Sequence, residues 1–533
     1  MGRWTEAAAG QSLMLRRRQS FLWPASCALL IAGFLAIVAQ FYHPVYGFTS
    51  LLQFDASNEA GLLPEVRERP VFINRLSGGY DGLYYAQLAC RPLLRDPALP
   101  AAMDNLGYRA RRILASWVAW GLALGDSTRA LDTYALLNPL CWLGLAGLLF
   151  AFFPPRSFHD FIAWAGLLFS AGALASVRFA LTDLPALLLL AGVMLAVQRG
   201  RLRGAAGLLA AAGLTRETSL FALPVLLRGS WRARLVQVVL VVTPLALWLV
   251  YVRIVAGAGN DGWSNLDWPG ARFLEKWQAT LANFQHPENS LPNWTTLLAL
   301  LAVTVQAVWL LVRPQWSAVW WRLSAGYVGL LLLLGTAVWE GYPGAAMRVL
   351  LPLNLAFNAL APRTRAGLVL LILGNLTVPA GLLQLTNLPN DGIELAAART
   401  AGTTVLVQTR SGWSGVERYR NDFLAWSSGD AAVAVQTKPA GVALTLDFRL
   451  RSLSPRTLEI TQQGQPVWRG RVGPAWSAVS FACTDGLLAF HTDTPPDPES
   501  FQPGARALAF CIDRVRLSDI RSTPVTNTAP SAR

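Results

Sequence analysis

Long apolar runs separated by short arginine clusters restrict this chain more than any other feature. Phe21–Gln40, Ala130–Phe153, Leu235–Ala256, Thr295–Val312 and Ala366–Leu385 approach the roughly 20 residues that a helix needs to cross a bilayer core of about 30 Å. Shorter runs occur at Phe161–Ala175, Leu184–Val197 and Gly326–Trp339. Only 14% of the 533 residues are charged, against about 25% in ordinary soluble domains. Much of the chain therefore needs no water-facing surface, and an α-helical polytopic membrane protein is the expected class. The first run has the length of a span, with no small-x-small cleavage pattern before Phe41, and reads as a retained anchor rather than a signal peptide.

The net charge of +14 would suit a nucleic-acid partner if the basic residues formed one stripe. They sit instead in short clusters between apolar runs, at Arg16–Arg18, Arg199/Arg201/Arg203, Arg228/Arg232/Arg234 and Arg363/Arg365. Basic residues in short loops mark the cytoplasmic side of a bilayer, so the partner is a lipid bilayer and not nucleic acid. Acidic residues collect elsewhere: Asp55 to Asp132, Asp183, Asp261 to Glu288, Glu340 and beyond Asp391. Alternating the two sets predicts a cytoplasmic segment over 1–20, a membrane domain over 21–387 with about eleven crossings, and an outward-facing C-terminus.

Residues 204–228 lie between two basic clusters. They are too few for two full crossings, because 12 helical residues rise only about 18 Å. Two short half-helices meeting near Thr215-Arg216-Glu217 fit better, and charges at membrane depth usually line a pathway. The plain alternative is an ordinary loop at the outer surface.

The predicted first outer loop, 41–133, is too rich in aromatic and charged residues for a mere connector. It carries Gly79-Tyr80-Asp81-Gly82-Leu83-Tyr84-Tyr85 and, farther on, Tyr108-Arg109-Ala110-Arg111-Arg112-Ile113-Leu114. Glycines around Asp81 would let the backbone bring its carboxylate close to a substrate, and Tyr80, Tyr84 and Tyr85 could stack on a sugar ring. Alternatively, Asp81 caps a helix that starts at Gly82. Arg109, Arg111 and Arg112 suit bidentate phosphate binding, or they neutralise lipid headgroups and pair with Asp96 and Asp104. The apolar stretch Ile113–Leu124, with Trp117 and Trp120, suits a helix at the membrane interface.

These motifs resemble GT-C-type membrane glycosyltransferases, including mannosyltransferase-like members with a Tyr-Asp-Gly-x-x-Tyr motif in the first outer loop. Leu214-Thr215-Arg216-Glu217 after Gly204-Ala205-Ala206-Gly207, and Arg348 ahead of Leu351-Pro352, are further similar elements. The resemblance spans about residues 20–385. It implies transfer of a sugar from a polyprenyl-phosphate carrier to a lipid, glycan or protein acceptor at the outer face of a bacterial inner membrane. One carboxylate would act as base, and Arg216 and Arg348 would hold the carrier phosphate beside Tyr108 and Glu217. Asp183 matches a position where members carry an acid, and equally could cap the helix that follows. Many members show two adjacent acids in this loop, sometimes with a divalent metal. Here Asp55 and Glu59 precede a solitary Asp81, so no cofactor is expected to be required, and the base lies between Asp81 and Asp55. The four histidines are scattered without zinc-type spacing.

Beyond a polar connector at 388–402, short alternating runs with turn residues predict an all-β sandwich over 403–520, then a disordered tail at 521–533. Trp413, Tyr419 and Trp426 would serve that domain as a sugar-binding face or as core. Cys483 and Cys511 are a candidate disulfide. Besides the transferase, two other classes remain open: a transporter or flippase of a lipid-linked glycan, and a non-catalytic assembly protein of the envelope.

Overall fold

Length and hydropathy decide which helices can cross a membrane. The computed structural model describes residues 22–257, 262, 265–286, 288, 290–400, 402–419, 422–500 and 504–521. Among them, four helices are long and apolar enough: Leu22–Ala39, Trp231–Ala256, Ser290–Val312 and Arg365–Gln384. A fifth span is available if Phe158–Leu168 and Ala171–Arg178, bent by 41° at their junction, act as one. The expectation of about eleven crossings is therefore corrected to four or five.

Two physical reasons account for the difference. Asp183–Gln198, Leu202–Thr215, Val319–Leu333 and Leu351–Leu360 are apolar but hold 10 to 17 residues, about 15–25 Å at 1.5 Å per residue. Ser127–Leu149 has the length, at 23 residues, but carries Asp132, Asn138 and Pro139. Its polar groups are used inside the protein: Asn138 donates to the Leu181 carbonyl at 2.9 Å and the Trp142 indole to that of Leu168 at 2.8 Å. One continuous buried core joins these helices to the segments after Phe41.

Between Leu202–Thr215 and a 3-10 segment at Glu217–Val225, the chain breaks at Arg216, whose backbone is extended. The break falls at Thr215-Arg216-Glu217, the place where the sequence predicts two short half-helices to meet. Residues 41–126 fold as short turns and helices, including Gly82–Cys90, Leu106–Arg109, Ala110–Arg112 and Leu114–Leu122. In the last of these, Trp117 packs edge-on against Trp248, while Trp120 and Leu122 are exposed, as is Leu124 just beyond it.

The C-terminal domain is all-β and antiparallel. One sheet has the spatial order Glu394–Thr400, Thr403–Thr409, Ala431–Lys438, Gly486–Thr492, Arg456–Gln462, Gln465–Val472. The other runs Trp413–Tyr419, Asp422–Ser427, Phe510–Arg521, Ala443–Ser452, Ser477–Cys483. Alternation explains the packing: in Ala443–Ser452 every second residue is buried, as expected for a strand with one face on a core. Leu446, Phe448 and Leu450 meet Val405, Val433 and Phe490 of the opposite sheet in a single cluster.

Three details differ from the sequence reading. The connector is not free of structure, because Glu394–Thr400 forms an edge strand within it. Cys483 and Cys511 are separate buried thiols. They pair with Leu444 and Arg451, at opposite ends of an intervening strand, a separation of about 20 Å at 3.3 Å per residue. Trp413 is half-buried against the core, edge-on to Phe490 and Phe510 with its indole donating to the Ala432 carbonyl at 2.8 Å. Trp426 is buried in a small satellite cluster. The side chain of Tyr419, residues 1–20 and the tail after Arg521 fall outside the described residues.

The β domain is fastened to the segment that follows the first helix. The Val45 and Tyr46 amides donate to His43 Nδ1 at 3.2 and 3.1 Å, which places the ring proton on Nε2, 2.8 Å from Glu394 Oε1. Gln408 reaches the Tyr46 hydroxyl at 3.4 Å.

Candidate active site

The Tyr80-Asp81-Gly82 turn is shaped by backbone contacts that only glycine allows. A Cβ on Gly79 would come within 2.7 Å of the Gln53 carbonyl and 2.8 Å of a Leu83 methyl. One on Gly82 would come within 3.1 Å of the Leu52 carbonyl and closer still to that of Phe179. The glycines thus bring the turn against the protein's own backbone rather than against a ligand. Asp81 occupies the N-cap position of Gly82–Cys90, yet its side chain accepts no capping hydrogen bond. Its carboxylate turns instead to Arg109, at 2.9 Å.

Asp55 has a different job. It accepts from the Ser57 amide at 2.8 Å, the Asn58 amide at 3.1 Å, the Asn58 side chain at 2.9 Å and the Gly79 amide at 2.9 Å, besides the Ser57 hydroxyl. Burial raises its carboxyl, but these hydrogen bonds outweigh burial and hold it below the usual carboxylate range. It lies outside the cavity described next and supports the turn that carries Asp81.

The arginine segment is fixed from several directions. The Asn105 side chain accepts from the Tyr108 amide at 2.9 Å to start Leu106–Arg109, and Trp248 donates to the Ala110 carbonyl at 2.7 Å. Arg109 makes a two-pronged contact with Asp104, at 2.9 and 2.6 Å, and lies 4.7 Å over the Tyr84 ring. Arg112 is paired with Glu217 at 2.8 and 3.2 Å across 105 residues of sequence. It also donates to the Tyr85 and Tyr108 hydroxyls at 3.1 and 3.2 Å.

On the far side, Asp183 lies between two cations. Its carboxylate, 1% exposed, is 2.8 Å from Arg216 and 3.6 Å from Arg348. Asp183 begins its helix but is used as the shared anion of this pair. Arg348 also donates to the Tyr80 hydroxyl at 2.8 Å, and Tyr80 stacks on Phe179 at 4.7 Å. Close approach puts Arg348 there: a Cβ on Gly172 would come within 2.9 Å of the Arg348 Cα.

These groups meet around one cavity of about 560 Å³. Asp81, Arg109, Arg111, Arg112, Arg216, Glu217, Arg348, Tyr80 and Tyr108 all line it. Asp55, Tyr84, Tyr85 and Asp183 do not; they hold residues that do. Five guanidinium groups and two carboxylates thus line it, with Asp81 paired to Arg109 and Glu217 to Arg112. Part of its wall is apolar, built from Phe221, Leu330, Leu334, Val338 and Val349. Sequence reasoning did not find this wall, whose residues read as ordinary helix interior, or Asn265, whose side chain donates to the Tyr108 hydroxyl at 3.2 Å. No local signal distinguishes that asparagine from other loop asparagines.

Such a cavity suits an amphipathic anion: guanidinium forks bind phosphate oxygens, aromatic rings accept a sugar face, and an apolar wall accepts a hydrocarbon chain. Among the described residues, no three of His, Cys, Asp and Glu come together as a metal-holding set. No protein-family model, curated protein or solved structure matches this chain.

Proposed function

We propose that the protein is a membrane glycosyltransferase that moves a sugar from a polyprenyl-phosphate carrier to a lipid, glycan or protein hydroxyl on the non-cytoplasmic side. One observation carries the reading: Asp81 and five arginines, from separate parts of the sequence, line a single cavity together with a set of apolar side chains. The carrier phosphate sits between Arg216 and Arg348, which Asp183 keeps together, and the first isoprene units run along Leu330, Leu334 and Val338. The sugar lies by Tyr80 and Tyr108.

Asp81 takes the proton of the acceptor hydroxyl as its oxygen attacks the anomeric carbon. The carbon–oxygen bond to the carrier phosphate breaks, and that oxygen leaves with the electron pair, stabilised by the guanidinium groups. A direct displacement needs one carboxylate, unlike the paired acid and base of most glycoside hydrolases. Arg109, shared with Asp104, holds the Asp81 carboxylate at 2.9 Å beside the cavity.

The test is sugar transfer by the purified protein in lipid nanodiscs, offered a panel of labelled polyprenyl-phosphate sugars with mixed membrane-lipid and glycan acceptors. Transfer of label from one donor supports the reading. Tight carrier binding and carrier movement across the bilayer, with no transfer, would replace it with the flippase alternative that the same cavity could serve.

A further inference from the structure

The helix Ala271–Asn283 carries an apolar stripe that the protein only half covers. Phe273, Trp277 and Thr280 lie on the side turned to the protein, with Phe273 against Trp339 at 5.4 Å between ring centroids. Leu274 and Leu281, which continue the same stripe at helical spacing, are 61% and 56% exposed. Glu275 and Ala279, both exposed, lie on the side turned away from the leucines.

Its attachments say what covers the exposed half. The helix lies between two of the helices able to cross a membrane, Trp231–Ala256 and Ser290–Val312. The link from Asn283 to Ser290 can stretch no more than about 25 Å, and the Asn283 carbonyl already accepts from Asn293, inside the second span, at 2.8 Å. The helix must therefore lie near the level at which that span enters the bilayer. Trp268, 81% exposed, marks the same level, as tryptophan does at membrane interfaces.

We propose that Ala271–Asn283 is seated in the lipid leaflet on the cavity side, with Leu274 and Leu281 in the acyl region and Glu275 and Ala279 toward water. This surface also bears on the cavity. The segment leading into the helix is hydrogen-bonded along the cavity's apolar wall: Asp267 to the Leu333 carbonyl at 2.9 Å, and Gly335 to the Asn265 carbonyl at 2.7 Å. Lipid that fixes the helix thereby fixes that wall, and a lipid-borne substrate meets the cavity beside its own solvent.

The test places a single environment-sensitive dye on L274C, E275C, A279C or L281C of the full chain, in nanodiscs of phosphatidylcholine with or without acyl-chain bromine. Expected is loss of most of the fluorescence to bromine at 274 and 281, with little loss at 275 and 279. Equal quenching at all four positions, no quenching at any, or L281C-to-L281C crosslinking in place of quenching would overturn the proposal, the last assigning the face to a second copy of the chain. The readout needs no sugar transfer, so its failure is separate from failure of the transferase reading.

Discussion

Arg109 divides its guanidinium between Asp104 and Asp81, and that division sets what substitutions at this point should do. Asp104 is drawn up by burial but held below the usual carboxylate range by the Arg109 fork, which outweighs burial. A depressed carboxyl contributes stability that is complete above its ordinary value of 3.8 and is lost as pH falls through the lower folded value. Wild type should lose more melting temperature than Asp104→Asn below about pH 4, as followed by thermal unfolding in detergent; equal losses would remove Arg109 as the cause. Arg112→Ala leaves Glu217 partly buried without its cation and should cost about 3–5 kcal/mol, visible as a lowered unfolding midpoint. Arg216→Ala or Arg348→Ala should weaken carrier-phosphate binding by about 1.5–3 kcal/mol, measured by titration with polyprenyl phosphate; unchanged affinity would place the phosphate elsewhere. The arginines were legible in the sequence because a cation among apolar residues needs a reason. Their partners were not: the Arg112–Glu217 and Arg348–Tyr80 contacts join positions 105 and 268 apart, which no local pattern encodes.

At the scale of elements, the β strands could be read from period-2 alternation, and the sandwich follows from it. The first strand, Glu394–Thr400, escaped because Glu-Leu-Ala-Ala-Ala-Arg-Thr has a single β-branched residue, at its last position, and a run of three alanines, which strands disfavour. Its Glu394 holds His43, so Glu394→Gln should loosen the β domain from the helical body while each keeps its own fold. Increased hydrogen exchange confined to residues 43–46 and 394–408 would show this, and unchanged exchange there would mean that other contacts fasten the domain. Trp413→Ala, which empties the space against Phe490 and Phe510, should cost about 3–5 kcal/mol and lower the midpoint of the β domain alone. The helix count was misjudged for a related reason. Hydropathy marks apolar helices of 14 or 16 residues as readily as spans, and a helix such as Ser127–Leu149 can be long and apolar yet face protein on most sides.

For the whole molecule, one arrangement connects the parts: apolar helices able to cross a bilayer, a cationic cavity with one apolar wall, and a β domain fastened to the chain just after the first helix. The resemblance in the predicted first outer loop named Asp81 and Asp55 as alternative bases, and the folded chain places them differently, Asp81 lining the cavity and Asp55 beneath the turn. The most direct measurement compares sugar transfer by Asp81→Asn, Asp55→Asn and wild type in the same nanodiscs. Removal of a general base costs about 10²–10⁴-fold in rate, so Asp81→Asn should lose transfer by that factor while retaining carrier binding and fold. Asp55→Asn should mainly lower stability, by about 0.5–2 kcal/mol, with transfer by the folded fraction largely kept. Full transfer by Asp81→Asn, or its selective collapse in a well-folded Asp55→Asn, would contradict the assignment.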